Sequence, residues 1–189
     1  MAQASISTSD TRVESVGGLR IFVRLWRPTG KVRGVITLVP GFNAHSGYYA
    51  WAAEQLADRG LAVYALDLRG RGHSDGERFY VEKFADYVSD VAAVVSHAKE
   101  REPGLPMFLL GHSAGGVVAC IYTLEHSGER LKKEFPLITL PVLILHGTAD
   151  KATKPSGSQR FFDMAGSKDK TLKLYEGHFH DLLNDVGKE

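Results

Sequence analysis

Short apolar runs alternate along the chain with segments in which apolar residues recur at helical spacing. The six runs with the length and composition of strands are Leu19–Leu25, Val35–Val39, Leu61–Leu66, Met107–Leu110, Pro141–Leu145 and Thr171–Tyr175. The four segments with helical spacing are Tyr49–Asp58, Val81–Lys99, Ala114–Glu125 and Ser156–Met164. Continuous apolar strands separated by amphipathic helices are typical of a parallel sheet with helices on both faces. The pattern therefore predicts an α/β fold.

Polar loops follow four of the predicted strands at their carboxyl ends. They are Pro40–Tyr48, Gly111–Gly115, His146–Asp150 and Gly177–Asp181. In open α/β sheets, ligands bind beyond the carboxyl ends of the strands. We therefore expect the functional residues to lie in these four loops.

Two stretches fit the Gly-x-Ser-x-Gly pattern of a hydrolase nucleophile elbow, GHSDG at 72–76 and GHSAG at 111–115. An elbow needs its serine on a sharp turn directly after a buried strand and directly before a helix. Ser113 meets this need, because an apolar run precedes it and an apolar helical segment follows it. Ser74 follows a polar Arg-Gly-Arg-Gly stretch, and Asp75 would put a carboxylate where an oxyanion needs positive potential. The flanks predict Ser113 as a nucleophile and Ser74 as a loop residue that caps the helix beginning near Val81.

A serine nucleophile needs a base that takes its proton and a third group that fixes the tautomer of the base. Of the eight histidines, His178 and His180 directly follow the last predicted strand. Of the carboxylates, Asp150 is best placed, two residues beyond the strand-like stretch PVLILHGT. The order serine, aspartate, histidine along the chain is the order of the α/β-hydrolase fold.

These motifs, together with LVPGFNAHSGYY, DLRGRGHSDGER and LYEGHFHDLLND, resemble α/β hydrolases of the monoacylglycerol lipase type. The group includes lysophospholipases and serine aminopeptidase-like hydrolases, and the resemblance extends over nearly the whole chain. It implies a catalytic triad of Ser113, Asp150 and His180, with His178 as the alternative base. It also implies a stretch near the site, DLRGRGHSDGER, whose role is structural.

The resemblance further implies an oxyanion hole made by the backbone N–H groups of Phe42 and Ala114. Phe42 follows Pro40-Gly41, where relatives commonly have His-Gly, and Ala114 follows the predicted nucleophile. Backbone donors survive such side-chain changes, so we expect the oxyanion hole to be retained.

The chain departs from the family in the segment between the nucleophile helix and the strand that leads to the acid. Relatives place a sixth strand and a cap domain there, whereas only SGERLKKEFPLITL lies between His126 and Pro141. We expect residues 1–189 to form a single core domain that lacks the sixth strand and the cap, expected between 127 and 140. The last helix is expected to be truncated. The strand Pro141–Leu145 then either pairs directly with Met107–Leu110 or leaves a gap.

Composition argues against several classes of partner. The net charge is +1, and the basic residues are scattered among acidic ones, so no nucleic-acid or anionic-membrane surface is indicated. No apolar stretch approaches the roughly 18 residues of a transmembrane span, and the first residues have no signal-peptide core, which indicates a cytoplasmic protein. The single cysteine, Cys120, lies in an apolar helical segment, where packing is its expected role.

The sequence thus predicts a serine carboxylic-ester hydrolase that acts on a small ester or lipid, such as monoacylglycerol, through an acyl-enzyme. The same triad would also suit a thioesterase, an acyltransferase or an aminopeptidase, and a catalytically silent scaffold is the alternative outside enzymes. No cofactor or metal is expected, because the triad accounts for HFH and the nearby Asp181. Without a cap, we expect an open site that favours short acyl chains, and self-association through the uncovered surface.

Overall fold

A computed structural model of the chain describes residues 5–126 and 138–185. These residues belong to two compact units, Met1–Tyr122 and Thr123–Glu189. The segment 127–137, which makes up most of the region where the cap was expected, lies outside the described residues. Within the described ranges, no helix has both the length and the apolar character needed to cross a membrane.

The first unit is built on a five-stranded mixed sheet with strand order β1-β2-β4-β3-β5. Its strands are β1 (Ile6–Glu14), β2 (Arg20–Pro28), β3 (Gly34–Val39), β4 (Leu61–Leu66) and β5 (Met107–Gly111). Its helices are α1 (Ala50–Asp58), α2 (Phe84–Arg101) and the greater part of α3 (Ala114–His126). Strand β3 runs parallel to β4 and β5, whereas β2 runs antiparallel to both β1 and β4. The carboxyl ends of β3, β4 and β5 therefore meet at one edge of the sheet.

Strands β3 and β4 are buried on both faces, whereas β5 lies at the edge of the sheet and is only partly buried. One face of β3 and β4, represented by Val35 and Tyr64, packs with the apolar residues of α2 and α3. The residues of opposite phase, such as Leu38 and Val63, are also buried. Helix α1 contacts β2 and β4 and buries three alanines, so helices cover both faces as the sequence predicted.

Differences from the sequence prediction lie where the apolar pattern is weak. Strand β1 was not predicted, because only Val13 in it is buried and its pairing with β2 rests on backbone hydrogen bonds. Helix α2 begins at Phe84 rather than near Val81, and its N-cap position is Lys83. Ser74 is therefore not the cap of this helix, and that prediction was wrong.

The second unit contains strands β6 (Val142–Gly147) and β7 (Lys170–Tyr175) and helix α4 (Pro155–Met164). The two strands form a separate parallel two-stranded sheet, with Gly147 paired with Tyr175 at its carboxyl end. Strand β6 therefore does not pair with β5 in the five-stranded sheet, which was one of the two predicted alternatives. Helix α4 starts with Pro155, whose fixed φ and missing N–H suit the first helical position.

Candidate active site

Ser113 occupies a sharp turn between β5 and α3, as the nucleophile-elbow prediction requires. Its φ is +54°, in the left-handed region that L-residues other than glycine rarely adopt. Among the described non-glycine residues, only Phe79 shares this property. Such strain persists where the surrounding structure enforces it, and it is typical of functional turns. The serine is exposed, so the turn presents its hydroxyl at the surface of the first unit.

Glycine is required beside the serine because the turn is packed against neighbouring backbone. A Cβ on Gly115 would lie 2.2 Å from the carbonyl oxygen of Val39, and one on Gly111 would lie 2.6 Å from that of Gly115. No side chain fits at those distances. The two glycines thus allow the first turn of α3 to approach the end of β3.

The loop after β3 passes next to the candidate nucleophile. A Cβ on Gly41 would lie 3.3 Å from the Cβ of Ser113, so the backbone that leads into Phe42 runs past the serine. Ala114 is the first residue of α3, and its N–H has no acceptor within the helix. The structure therefore brings together Ser113 and the two segments that carry the predicted oxyanion donors.

Two side chains that the sequence analysis did not single out fasten this loop. The Tyr49 hydroxyl accepts a hydrogen bond from Gly41 N at 3.1 Å and lies 2.9 Å from Nδ1 of His112. The Arg71 Nε donates to the carbonyl oxygen of Phe42 at 2.7 Å. The guanidinium carbon lies 4.6 Å from the ring centroid of Phe42, within the range of a cation–π contact. A tyrosine in a helical pattern and an arginine in a loop carry no sequence signal for these contacts.

The serine of the other Gly-x-Ser-x-Gly stretch is a structural residue. Ser74 is 1% exposed, its hydroxyl donates to the carbonyl oxygen of Asp67 at 2.6 Å, and it accepts from Phe22 N at 2.8 Å. The carboxylate of Asp67 in turn accepts from the backbone N–H groups of Ser46 and His73. Ser74 and Asp67 therefore tie the loop after β4 to β2 and to the loop after β3.

In the second unit, Asp150 and His180 form a hydrogen-bonded pair. Oδ2 of Asp150 lies 2.8 Å from Nδ1 of His180, and the aspartate side chain is only 3% exposed. Oδ1 accepts from the backbone N–H groups of Ala152 and Thr153, while the Thr153 hydroxyl donates to Oδ2 at 2.7 Å. Because an ionised carboxylate accepts only, His180 donates from Nδ1, and in the neutral ring Nε2 is then the nitrogen without a proton.

The electrostatics of Asp150 favour its ionised form. Burial by itself would raise the pKa of this carboxyl, because it removes water from the charge. The hydrogen bonds from His180, Thr153 and Ala152 outweigh burial, and they hold the pKa well below its ordinary value. The carboxylate thus stays charged at neutral pH and can stabilise a positively charged imidazole beside it.

His178, the alternative base, makes different contacts. Its Nδ1 lies 3.4 Å from a carboxylate oxygen of Asp185, and its ring stacks edge-on against Tyr175. A Cβ on Gly147 would lie 2.2 Å from the carbonyl oxygen of His178, so the backbone of this residue packs against the end of β6. Within the second unit, His180 is therefore the histidine bonded to Asp150.

A third histidine, missed by the sequence analysis, lies beside the same carboxylate. Nε2 of His146 is 3.1 Å from Oδ2 of Asp150 but lies off the direction of a hydrogen bond, and its Nδ1 is 2.6 Å from the Ser158 hydroxyl. The i,i+4 spacing of His146 and Asp150 across the end of β6 was the available signal.

In residues 5–126 and 138–185, His, Cys, Asp and Glu form no group of three that could hold a metal ion. Burial raises the pKa of the Cys120 thiol, which agrees with a packing role.

Comparison with known proteins shows one family. The sequence pattern described as "Serine aminopeptidase, S33" matches residues 30–129 and 126–187. The match breaks in two at 126–129, which is where the sequence analysis places the missing segment. The two parts together span most of the chain.

Several relatives are named as lipases. The monoglyceride lipase of Homo sapiens is 28% identical and is aligned over 89% of this chain and 82% of its own length. The monoacylglycerol lipase of Mycolicibacterium smegmatis is 25% identical, with 96% and 93% covered. Both alignments, of 249 and 260 positions, are longer than the 189-residue chain, because the relatives carry residues without a counterpart here.

Solved structures show the same fold. A soluble variant of monoglyceride lipase from Saccharomyces cerevisiae, bound to a substrate analog, matches with a TM-score of 0.78 at 18% identity. That match covers 96% of this chain and 89% of the yeast chain. Est1E from Butyrivibrio proteoclasticus, bound to ferulic acid, matches with a TM-score of 0.76 at 21% identity, covering 90% of each chain.

Proposed function

Because the chain belongs to the serine aminopeptidase S33 family of α/β hydrolases, we propose that it hydrolyses carboxylic esters through an acyl-enzyme on Ser113. The observation that carries this proposal is the positive φ of Ser113 between β5 and α3. A strained serine directly after a strand and directly before a helix is the arrangement that exposes a nucleophilic hydroxyl.

In the first half of the proposed reaction, Oγ of Ser113 attacks the ester carbonyl while Nε2 of His180 takes the hydroxyl proton. The carbonyl oxygen becomes an oxyanion, which accepts hydrogen bonds from the backbone N–H groups of Phe42 and Ala114. The tetrahedral intermediate collapses, and the imidazolium gives its proton to the departing alcohol. The products of this half are the alcohol and an ester of Ser113.

In the second half, a water molecule gives a proton to His180 and attacks the acyl-enzyme. A second tetrahedral intermediate collapses to the free acid, and the imidazolium of His180 returns its proton to Oγ of Ser113. Asp150 holds the tautomer of His180 throughout and stabilises its charged form. The low pKa of Asp150 supports this role, because it keeps the carboxylate ionised while His180 gains and loses its proton.

We further propose monoacylglycerols or other simple carboxylic esters as substrates. The support is the activity named for the human and mycobacterial relatives. The chain has only a short segment where the sequence resemblance implies a cap, and a site without a cap gives a long acyl chain little apolar cover. We therefore expect short acyl chains to be preferred over long ones.

A fluorophosphonate probe tests the proposal, since it forms a covalent bond with an activated serine. Intact-mass and peptide analysis should show one label per chain, on Ser113, and the Ser113→Ala variant should not be labelled. Turnover of monoacylglycerols and p-nitrophenyl esters of increasing chain length then measures the substrate preference. A folded wild-type chain that neither reacts with the probe nor hydrolyses any ester would overturn the proposal in favour of a silent scaffold.

A further inference from the structure

We propose that Tyr49 is a positioning residue whose hydroxyl joins the oxyanion loop to the nucleophile elbow. The inference rests on the proposed function, since it assigns a role in the same reaction. Tyr49 ends a short 3₁₀ turn, Ser46–Tyr49, that leads into α1, and its side chain is 1% exposed. It therefore cannot meet substrate at the surface and acts through the groups it holds.

The Tyr49 hydroxyl contacts both loops. The backbone N–H of Gly41 can only donate, so the Tyr49 oxygen accepts there, at 3.1 Å. The same oxygen lies 2.9 Å from Nδ1 of His112, and the tautomer of His112 sets which of the two donates. The His112 ring packs edge-on against the Tyr49 ring, with centroids 5.7 Å apart. The bridge thus joins Gly41 and His112 through one buried hydroxyl.

Each partner of the bridge precedes a predicted reacting group in the chain. Gly41 precedes Phe42, whose N–H is one oxyanion donor, and His112 precedes Ser113. The two loops leave different strands, β3 and β5, whose last paired residues are Val39 and Gly111. The last backbone bond between the two segments runs from His112 N to the carbonyl oxygen of Val39, at 3.1 Å. The Tyr49 hydroxyl adds a link beyond it, from Gly41, two residues past Val39, to His112, one residue past Gly111.

The distance between the loops matters because an oxyanion hole depends on precise placement. Its donors must lie about 2.7–3.1 Å from the oxyanion, and productive sites are held within about 0.5 Å. The second donor, Ala114 N–H, belongs to the elbow, so the two donors sit on opposite sides of the bridge. A shift of the Gly41 loop relative to His112 would change the spacing of the donors while leaving both in place.

The 3₁₀ turn that carries Tyr49 is itself held in place by a hydrogen bond. The N–H of Ser46, at the start of the 3₁₀ turn, donates to the buried carboxylate of Asp67 at 2.6 Å. The turn is thereby fixed to the end of β4. The tyrosine ring therefore extends from a rigid support toward the two loops, and loss of its hydroxyl removes the bridge without removing the support.

The central variant is Tyr49→Phe, which keeps the ring and deletes the hydroxyl. Complete loss of one oxyanion donor costs about 10²–10³ in kcat, so a displaced donor should cost less, about 10- to 100-fold. The KM should change by less than about 3-fold, because the interaction is made in the transition state and not with the bound substrate. The rate of fluorophosphonate labelling should fall in parallel.

Tyr64→Phe is the matched control. Tyr64 lies on β4, is also 1% exposed, and its hydroxyl contacts Glu102 at 3.5 Å, away from both loops. If loss of a buried hydroxyl lowered activity only through general destabilisation, the two variants would behave alike. We expect Tyr64→Phe to keep wild-type kcat, with thermal melting of both variants measured to compare folding.

A double-mutant cycle with His112 tests the bridge from its other end. His112→Leu removes the partner of the hydroxyl and should lower kcat, whereas His112→Asn keeps an amide that can accept or donate near the Nδ1 position and should retain most activity. Because Tyr49 and His112 form one link, the Tyr49→Phe, His112→Leu double variant should lose no more than the worse single variant.

The outcomes separate the inference from its premise. Wild-type labelling and turnover with unchanged kcat in Tyr49→Phe would overturn the positioning role and leave the proposed function standing. Independent, multiplicative losses in the double variant would do the same, since the two residues would then act separately. A folded wild type without labelling at Ser113 would overturn the proposed function and the positioning role together.

Discussion

Nδ1 of His180 lies 2.8 Å from Oδ2 of Asp150, although 30 residues separate the two in the sequence. The contact follows from the pairing of β6 with β7. The strands run parallel and remain in register to Gly147 and Tyr175, so the segments that follow them leave the sheet at the same edge. The register of a two-stranded sheet thus brings Asp150 to His180.

We predict that Asp150→Asn lowers kcat by about 10³- to 10⁴-fold, the size of effect expected when the histidine tautomer is wrong. Oδ1 faces the backbone N–H groups of Ala152 and Thr153, so the amide nitrogen of an asparagine must turn toward His180. Nδ1 of His180 would then accept, and the proton would move to Nε2, where it blocks general-base action. Steady-state kinetics measures the loss. Thr153→Val, which removes one hydroxyl donor, should cost far less, and equal losses would contradict the tautomer argument.

The same substitution should change how stability depends on pH. The pKa of Asp150 is lowered in the folded state, so its stabilising contribution is present above the ordinary carboxyl pKa and is lost as the pH falls toward the lowered value. We expect the wild type to lose more unfolding free energy than Asp150→Asn between about pH 5 and pH 2. Urea unfolding across this range gives the comparison, and parallel curves for the two proteins would show that Asp150 is not stabilised in this way.

Replacement of the two neighbouring histidines should have unequal effects. His180→Ala removes the base and should lower kcat by several orders of magnitude, since triad members act as a unit. His178→Ala should retain most activity, because His178 contacts Asp185 rather than Asp150. Kinetics on a short-chain ester at matched folding tests this. An inactive His178→Ala with an active His180→Ala would mean that the assignment is off by two residues.

Ser74→Ala should reduce stability while leaving most catalytic turnover in the folded fraction. The substitution leaves the buried N–H of Phe22 without its acceptor, which costs about 1–3 kcal/mol. Ser7→Ala, at an exposed serine bonded to the carbonyl oxygen of Arg27, is the control and should be nearly neutral. Denaturant unfolding and esterase activity are measured on both. A loss of kcat equal to that of Ser113→Ala would contradict the structural role of Ser74.

Two adjacent glycines at the start of α3 should respond oppositely to alanine. Gly115→Ala places a Cβ 2.2 Å from a backbone oxygen that cannot move aside, so we expect at least 1–3 kcal/mol of destabilisation, as for overpacked cores. At Gly116 the nearest atom is 3.5 Å away, an ordinary contact. Gly116→Ala should be neutral or stabilise the helix by about 0.5–1 kcal/mol. Similar melting temperatures for the two variants would show that the elbow is not tightly packed against β3.

Self-association remains a prediction, and the β6–β7 sheet offers a surface for it. Leu143 and Leu145 are 66% and 39% exposed, and their partners in the ladder are Thr171 and Lys173 on the same face. Exposed apolar faces of this kind favour association. Light scattering over a range of concentrations should show oligomers, and Leu143→Gln should reduce them more than Thr171→Gln. A wild type that stays monomeric at every concentration would contradict the prediction.

Local patterns in the sequence were enough to predict the central strands, helix α3 and the position of the elbow. Strands β3 and β4 are continuous apolar runs, and α3 begins with small and apolar residues. Both are patterns of contiguous residues, so they can be recognised in the sequence. The choice of Ser113 over Ser74 was likewise local, because an elbow is defined by its immediate flanks. The choice of His180 over His178 was not local, and it rested on the family resemblance.

Only the tertiary structure decided the features that depend on partners distant in sequence. Strand β1 has little apolar pattern and exists through backbone pairing with β2. The hydroxyl of Tyr49 gains a role because β3 and β5 are neighbours in the sheet, which brings Gly41 and His112 to either side of it. Ser74 has a structural role because its hydroxyl accepts a hydrogen bond from the backbone N–H of Phe22 on β2. Hydrogen bonds between residues far apart in sequence produce no local sequence pattern, because their partners come together only when the chain folds.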